Sequence, residues 1–369
     1  MSTSRKILVV TGIYPPDIGG PATYVPQLCA QLNRLGYEVH LISLADNPAK
    51  NGPEEPWKRT FISRGLWKPL RILKTVFVLY KSSSDSTAIF SNGLFEEVGI
   101  LSVIRRNKRI IAKIVGDPVW ERFKNSTESN IDIESFNQET LKKEYFLQRI
   151  LLTWSLNRFS EISCPSAQLK EIIIGWGVKR NVSVIKNGIK CHEIERSTSI
   201  YDIVTVSRLV KWKNIDQLIL AVANSDYSIA ICGTGPEKSN LEKLAKTNNV
   251  NVKFLGQLTG KSLSNVINNS RVFALLSSYE GLSFSLLEAM MAGKRILVSN
   301  ARGNLDVILN NESGIVVDPK NLNEISTALG ILINDDLVSK KLSNQAHQIA
   351  VTYYCAEKQM NSMIKLIGL

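Results

Sequence analysis

Short runs of β-branched and other apolar residues alternate along this chain with longer segments whose apolar positions recur every three or four residues. That alternation predicts strands and helices in turn, the pattern of a parallel α/β sheet. Strands are expected at Lys6–Val10, Val39–Leu44, Thr87–Ser91, Arg109–Val115, Glu161–Pro165 and Val182–Lys186. The rhythm pauses over the polar stretch Asn187–Ile200, which contains an Asn-Gly turn signal, and then restarts. The second series runs Ile203–Ser207, Ile229–Gly233, Val252–Leu255, Val272–Leu276, Arg295–Ser299 and Gly314–Val317. Two Rossmann-like domains follow, residues 1–190 and 200–349, with a helix at 350–369 expected to return to the first. Ligands of open α/β sheets collect outside the carboxyl ends of the strands, so a cleft faced by two such sheets is the expected active site.

Length agrees with two cores, since 369 residues with 44% hydrophobic and 21% charged exceed what one core ordinarily serves. No apolar run approaches the roughly 20 residues of a membrane span, and Gly12, Pro15 and Pro16 break the N-terminal one, which predicts a first strand rather than a signal segment. Cys29, Cys164, Cys191, Cys232 and Cys355 are scattered and lack a C-x-x-C spacing, which argues against a disulfide framework or zinc site and fits a reducing cytosol.

Charge alters the picture locally. The net +12 is concentrated in residues 1–199, with 28 Lys+Arg against 19 Asp+Glu, whereas 200–369 carry 17 against 14. Trp57–Lys81 alone holds seven basic residues and no acid. Within it Leu66, Leu70, Leu73, Phe77 and Tyr80 form a helical stripe flanked by Arg71, Lys74 and Lys81, and Trp67 lies near the same spacing. The stripe is expected to pack against the first sheet with its cations solvated. Packing leaves the charge unexplained, and a basic amphipathic helix suits an anionic membrane surface. A second cluster, Arg105, Arg106, Lys108 and Arg109, adds to it. No helix-turn-helix, finger or RNA-binding signature accompanies the basic residues, so nucleic acid is not expected as a partner.

The densest candidate chemistry is EGLSFSLLEAMMAGKRILVS, Glu280–Ser299. Ser283 is placed to cap a helix over Phe284–Ala292, whose free N–H groups and positive dipole end would hold a phosphate. Glu288, one turn in, would accept from both hydroxyls of a ribose diol, and Glu280 could hold a second diol. The same pattern also suits a capped core helix with two solvated glutamates. Upstream, Arg208 and Lys213 follow a strand end, five positions apart, where two cations could clamp a diphosphate. Asp117, just past the strand Arg109–Val115, is the candidate acceptor-side carboxylate, or else the cap of the next turn beside Pro118. Gly233-Thr234-Gly235 after a strand superficially suggests a dinucleotide site. Lys238 stands where its third glycine belongs, and Lys253 where its acid belongs, which argues against that reading. No Asp-x-Asp occurs, and His40, His192 and His347 have no ligand spacing, so no catalytic metal is expected.

Arg208 and Lys213, then Ile231-Cys232-Gly233-Thr234-Gly235-Pro236, Phe254-Leu255-Gly256, and Glu280-x7-Glu288 with Ala289 and Gly293-Lys294, stand in the order of the GT-B retaining glycosyltransferases of family 4, which the chain resembles. Tyr14-Pro15-Pro16-Asp17-Ile18-Gly19-Gly20, Leu35-Gly36-Tyr37-Glu38-Val39 and Val184-Ile185-Lys186-Asn187-Gly188 are similar to that family's first-domain landmarks. The resemblance implies an α/β GT-B fold and a metal-independent, retaining transfer of sugar from a nucleoside-diphosphate sugar, with no other cofactor. The acceptor it implies is a hydroxyl of a lipid-linked glycan in bacterial cell-surface polysaccharide synthesis, such as lipopolysaccharide or O-antigen. It would place the enzyme peripherally on the cytoplasmic face of the membrane.

By the same resemblance Arg208 and Lys213 neutralise the diphosphate, Glu288 holds the ribose, and Glu280 contacts the transferred sugar. Ser283, Phe284 and Ser285 line the donor site, while Gly19 and Gly20 let backbone approach donor phosphates and acceptor. The chain departs from the family at Gly116, where a histidine is frequent, at Ser283, where Gly is common, and at Arg302-Gly303-Asn304 with Asp306. A GT-B nucleotide-sugar epimerase and a non-catalytic basic membrane-binding module are the competing readings.

Overall fold

The computed structural model describes residues 6–17, 19–46, 55–126, 133–138, 143–191 and 199–369. Ile18, His192 and much of the expected linker lie outside them. The strands are β1 (Lys6–Thr11), β2 (Glu38–Ala45), β3 (Lys58–Ser63), β4 (Ser86–Asn92), β5 (Arg109–Lys113), β6 (Glu161–Cys164) and β7 (Val182–Val184), followed by β8 (Tyr201–Val206), β9 (Ile229–Cys232), β10 (Val252–Gly256), β11 (Ser270–Leu275), β12 (Arg295–Ser299) and β13 (Ile315–Val317). The helices are α1 (Gly20–Arg34), α2 (Lys68–Ser82), α3 (Phe95–Ile104), α4 (Pro118–Ser126), α5 (Ile133–Gln138), α6 (Lys143–Leu156) and α7 (Ala167–Gly175), then α8 (Ile215–Ala221), α9 (Lys238–Thr247), α10 (Gly260–Asn268), α11 (Phe284–Met291), α12 (Arg302–Leu305), α13 (Leu322–Asn334), α14 (Asp336–Tyr353) and α15 (Ala356–Ile367).

Two all-parallel sheets result, ordered β3-β2-β1-β4-β5-β6-β7 and β10-β9-β8-β11-β12-β13. Helices cover both faces, which is why the strand runs are nearly continuous in apolar residues rather than alternating. In β8, Ile203 enters one buried cluster and its neighbour Val204 the other. Strand order reverses between β1 and β4 in the first sheet and between β8 and β11 in the second. Such switch points open a crevice at the carboxyl ends.

The chain divides into one unit of Met1–Asn187 with Gln359–Leu369 and a second of Gly188–Lys358. Most of α15 thus belongs to the first unit, where Met363 lies 4.0 Å from the Ser163 hydroxyl and Arg109 donates to the Leu366 carbonyl at 3.0 Å. The second unit begins and ends side by side. Ile189 bridges Cys355, its N–H donating to the Tyr354 carbonyl at 2.9 Å while Ala356 N–H donates back at 2.8 Å.

Two expectations for Trp57–Lys81 change. Its first part is a strand, β3, at the sheet edge, paired with β2 alone. The stripe on α2 does not pack against the sheet either. Leu73 is 68% and Phe77 56% exposed, Trp67, Leu70 and Tyr80 also face outward, and the helix buries Thr75 and Leu79 instead. Arg59, Arg64 and Arg71 turn inward, to Glu55, to Asp17 with Asp46, and to the Arg64 carbonyl. Lys58, Lys68, Lys74 and Lys81 remain exposed. No helix among the described residues is long and apolar enough to cross a membrane.

Candidate functional site

In the second unit the candidate residues gather on the two loops flanking the switch point. Arg208 and Lys213 follow β8, and Glu280, Ser283 and Ser285 follow β11. The loops are laced together. Asn214 donates its side-chain amide to the Leu276 carbonyl at 2.7 Å and to the Ser278 hydroxyl at 2.9 Å, and Ser278 N–H returns to the Trp212 carbonyl at 2.8 Å. Across them the Lys213 ammonium meets the Glu280 carboxylate at 2.5 Å, with both side chains largely buried. Arg208 is exposed, and no described residue pairs with it.

Ser283 caps α11, its hydroxyl accepting from Leu286 N–H at 3.3 Å and meeting the Ser285 hydroxyl at 2.9 Å. Ser285 in turn donates to the Val206 carbonyl at 3.0 Å, fixing the helix start against the last residue of β8. Phe284, the first helical residue, packs against the apolar cluster beneath. The remaining first-turn N–H groups and the dipole give this end its affinity for anions.

Two glycines already named in the sequence have packing roles that spacing did not show. A Cβ on Gly303, at the start of α12, would fall 1.9 Å from the Glu280 carbonyl oxygen, so only glycine lets that helix press on the Glu280 loop. Gly233 has φ +142°, and its Cβ would sit 1.9 Å from the Ser207 carbonyl. The glycines after β9 thus serve close packing on the Arg208 loop. A Gly-x-Gly beside a cation-bearing loop was their only signal.

Glu288 is half-buried, and no described residue forms an ion pair with it. Burial pushes its carboxyl up to about 7. An ionised carboxylate accepts from both hydroxyls of a diol, which a protonated one does less well. If Glu288 holds a ribose diol, nucleotide affinity measured by calorimetry should weaken as pH falls through about 7, and Glu288→Gln should flatten that dependence. Stability moves the other way. Between the ordinary 4.5 and about 7 the folded state holds the extra proton, so stability drops as pH rises through that window, by about 3 kcal/mol at most.

In the first unit Gly19, at φ +146°, is the N-cap of α1, and Gly20 is that helix's first residue. Both follow β1 at its switch point. Asp117 takes the second of its two expected places, the cap of the turn beside Pro118. It is fully buried, and its carboxylate is occupied by Val119 N–H at 2.9 Å, Trp120 N–H at 3.1 Å, Arg149 at 2.5 Å and Asn137 at 3.3 Å. Asp117 therefore caps α4 and neutralises Arg149 rather than opening toward an acceptor. Arg149 itself stacks 4.3 Å over Trp176, whose indole N–H donates to Asn137 at 2.9 Å. Close by in the strand, Lys113 is also fully buried, donating to the Ile185 carbonyl at 3.2 Å beneath the Tyr24 ring, and burial pulls its ammonium down to about 8. Neither Arg149 nor Lys113 was singled out by pattern, although a lysine inside an apolar strand was a visible sign.

Among the described residues no cluster of His, Cys, Asp and Glu gathers to hold a metal ion. Residues 193–349 match the family described as "Glycosyl transferases group 1". The chain is 25% identical over 216 residues to poly(ribitol-phosphate) alpha-N-acetylglucosaminyltransferase of Staphylococcus aureus, covering 56% of this chain and 43% of that protein. It is 24% identical over 363 residues, 91% of each chain, to a GDP-mannose-dependent monoacylated alpha-(1-6)-phosphatidylinositol monomannoside mannosyltransferase of Corynebacterium glutamicum. The crystal structure of Anabaena Alr3699/HepE in complex with UDP and glucose superimposes with a TM-score of 0.79 at 17% identity, over 98% of this chain and 99% of that one. That likeness establishes the GT-B fold. The chain spans less than half the length of some curated relatives it matches.

Proposed function

We propose, from a chain that carries a glycosyl transferases group 1 domain at residues 193–349 on the GT-B fold, that it transfers a sugar from a nucleoside-diphosphate sugar to a hydroxyl of a lipid-linked or polymeric glycan. One observation carries this reading: Lys213, Glu280 and the capped start of α11 converge on the switch point between β8 and β11. The relatives' donors and acceptors, UDP or GDP-mannose on one side and a phosphorylated polyol or lipid on the other, supply its chemical class.

In this reading the α11 N–H groups, Lys213 and Arg208 take the diphosphate. Their charge stabilises the negative charge that develops on the departing phosphate, with no metal required. Glu288 accepts from the ribose hydroxyls. Glu280, held by Lys213, orients the transferred sugar, and Ser283, Phe284 and Ser285 shape its pocket. In the first unit, which binds the acceptor, Gly19 and Gly20 let the backbone at the α1 start approach substrate. Transfer retains the anomeric configuration, as in family 4, with a phosphate oxygen of the leaving group accepting the acceptor's proton. An anionic membrane surface, met through the exposed face of Trp57–Lys81, brings the enzyme to its acceptor from the cytoplasmic side.

Screening nucleoside-diphosphate sugars by thermal stabilisation tests the donor half. A ligand about 100-fold above its Kd adds about 2.7 kcal/mol, a clear rise in Tm. The active donor should then label a lipid-linked acceptor with the α or β configuration preserved. If no UDP- or GDP-sugar stabilises the chain, the proposal is wrong.

A further inference from the structure

The amino ends of β5, β6 and β7 form the edge of the first sheet opposite the loops at its switch point. A cavity of about 470 Å³ opens there, lined by Arg105, Arg106 and Lys108 between α3 and β5, Arg158 behind α6 and Arg180 ahead of β7. No acid lines it. None of the five cations forms an ion pair with a carboxylate among the described residues, although Asp85, bound by Lys6, also attracts Lys108. Three of the arginines are anchored by their inner nitrogens, whereas Arg105 donates an outer nitrogen to the Tyr80 carbonyl at 3.5 Å and the Lys108 ammonium donates to the Ser84 and Ser86 carbonyls at 3.1 and 2.6 Å. Arg158 Nε donates to Ser102 Oγ at 2.8 Å, Arg180 Nε to the Asn157 carbonyl at 2.7 Å and Arg106 Nε to the Val103 carbonyl at 3.4 Å. Arg105 lies 4.4 Å over the Tyr80 ring and Arg158 5.2 Å over Trp154. Fixed at Nε, Arg106, Arg158 and Arg180 keep their outer N–H forks for a ligand, and such forks match phosphate oxygens.

The helices around the cavity explain which phosphate. α2 packs on α3 and α3 on α6. Their outward faces carry Phe77, Tyr80, Ile104, Ile150 and Trp154, all exposed. Large apolar and aromatic side chains on one helical layer, joined to a basic cavity without an acid in its lining, combine the two attractions that hold a protein on an anionic bilayer. A soluble phosphate would use the cations and leave the apolar surface in water.

We infer that this end of the α2–α3–α6 layer seats on a phospholipid surface and that the cavity takes the phosphate of one lipid headgroup. The inference rests on the membrane-surface reading above and not on sugar transfer. It adds a headgroup site some distance along the chain from Trp57–Lys81.

The test is sedimentation of the full chain with vesicles of phosphatidylcholine alone and with about 30% phosphatidylglycerol, at physiological salt. Wild type should partition onto the anionic vesicles. Arg106→Glu with Arg180→Glu should lower that partition at least about tenfold, since two attractions to the anionic surface become repulsions. Leu73→Ser with Phe77→Ser should weaken binding to both vesicles. Donor-induced thermal stabilisation should be the same in all variants, which checks folding and separates this result from failure of the transferase reading. Unchanged partition of the arginine variant overturns the headgroup site while leaving α2 as the contact. Wild type that binds neither vesicle overturns both. Release from anionic vesicles by soluble glycerol 3-phosphate, at matched ionic strength, would show that the cavity takes free phosphate and would also overturn the inference.

Discussion

An alanine at Lys213 is expected to lower the rate of sugar transfer about a hundredfold, the usual cost of about 3 kcal/mol for removing one donor aimed at developing charge. The ammonium is fixed by Glu280 and by a loop tied to the Leu276 carbonyl and Ser278, so it is in place before substrate arrives. Its removal also leaves Glu280 without that partner. Lys213→Ala and Glu280→Ala should therefore be strongly non-additive, the double variant losing far less than the two single losses combined. Steady-state kinetics with a saturating acceptor would measure this. If Lys213→Ala retains wild-type kcat, or if the two losses simply multiply, the pair does not act as a unit on the substrate.

Asp117→Ala should have the largest effect on stability, about 3–5 kcal/mol, because it leaves the buried Arg149 guanidinium uncompensated. It also strips the cap from two N–H groups of α4. Asp117→Asn keeps the shape and should lose less, and Arg149→Met made together with Asp117→Ala should recover part of the loss. Urea unfolding of the four proteins decides the matter. A stable Asp117→Ala protein that has lost turnover would instead return Asp117 to the acceptor.

What could be read from residues alone follows from range. The cap at Ser283 and the cations after β8 are set within a few residues of a strand end, and the pattern around them is local. The place of Asp117 at the end of β5 was equally legible, but its burial depends on Arg149, supplied by α6 much later in the chain. The strand β3 was hidden because an edge strand needs only modest apolar content, and KRTFIS buries Ile62 alone. Periodicity on α2 revealed a stripe without saying which way it faces. Neighbouring elements decide that, and here they leave Leu73 and Phe77 outside. The packing role of Gly303 was not legible, because a close approach between backbones apart in sequence leaves no trace in spacing.

The pairing of Ile189 with Cys355 has an evolutionary and practical consequence. Gly188–Lys358 enters and leaves its host through one doorway, so joining Asn187 to Gln359 through a short loop would restore an unbroken first unit. The excised piece would carry adjoining termini. That is the arrangement of a cassette, a piece that can be lifted out or replaced without rebuilding the scaffold that receives it.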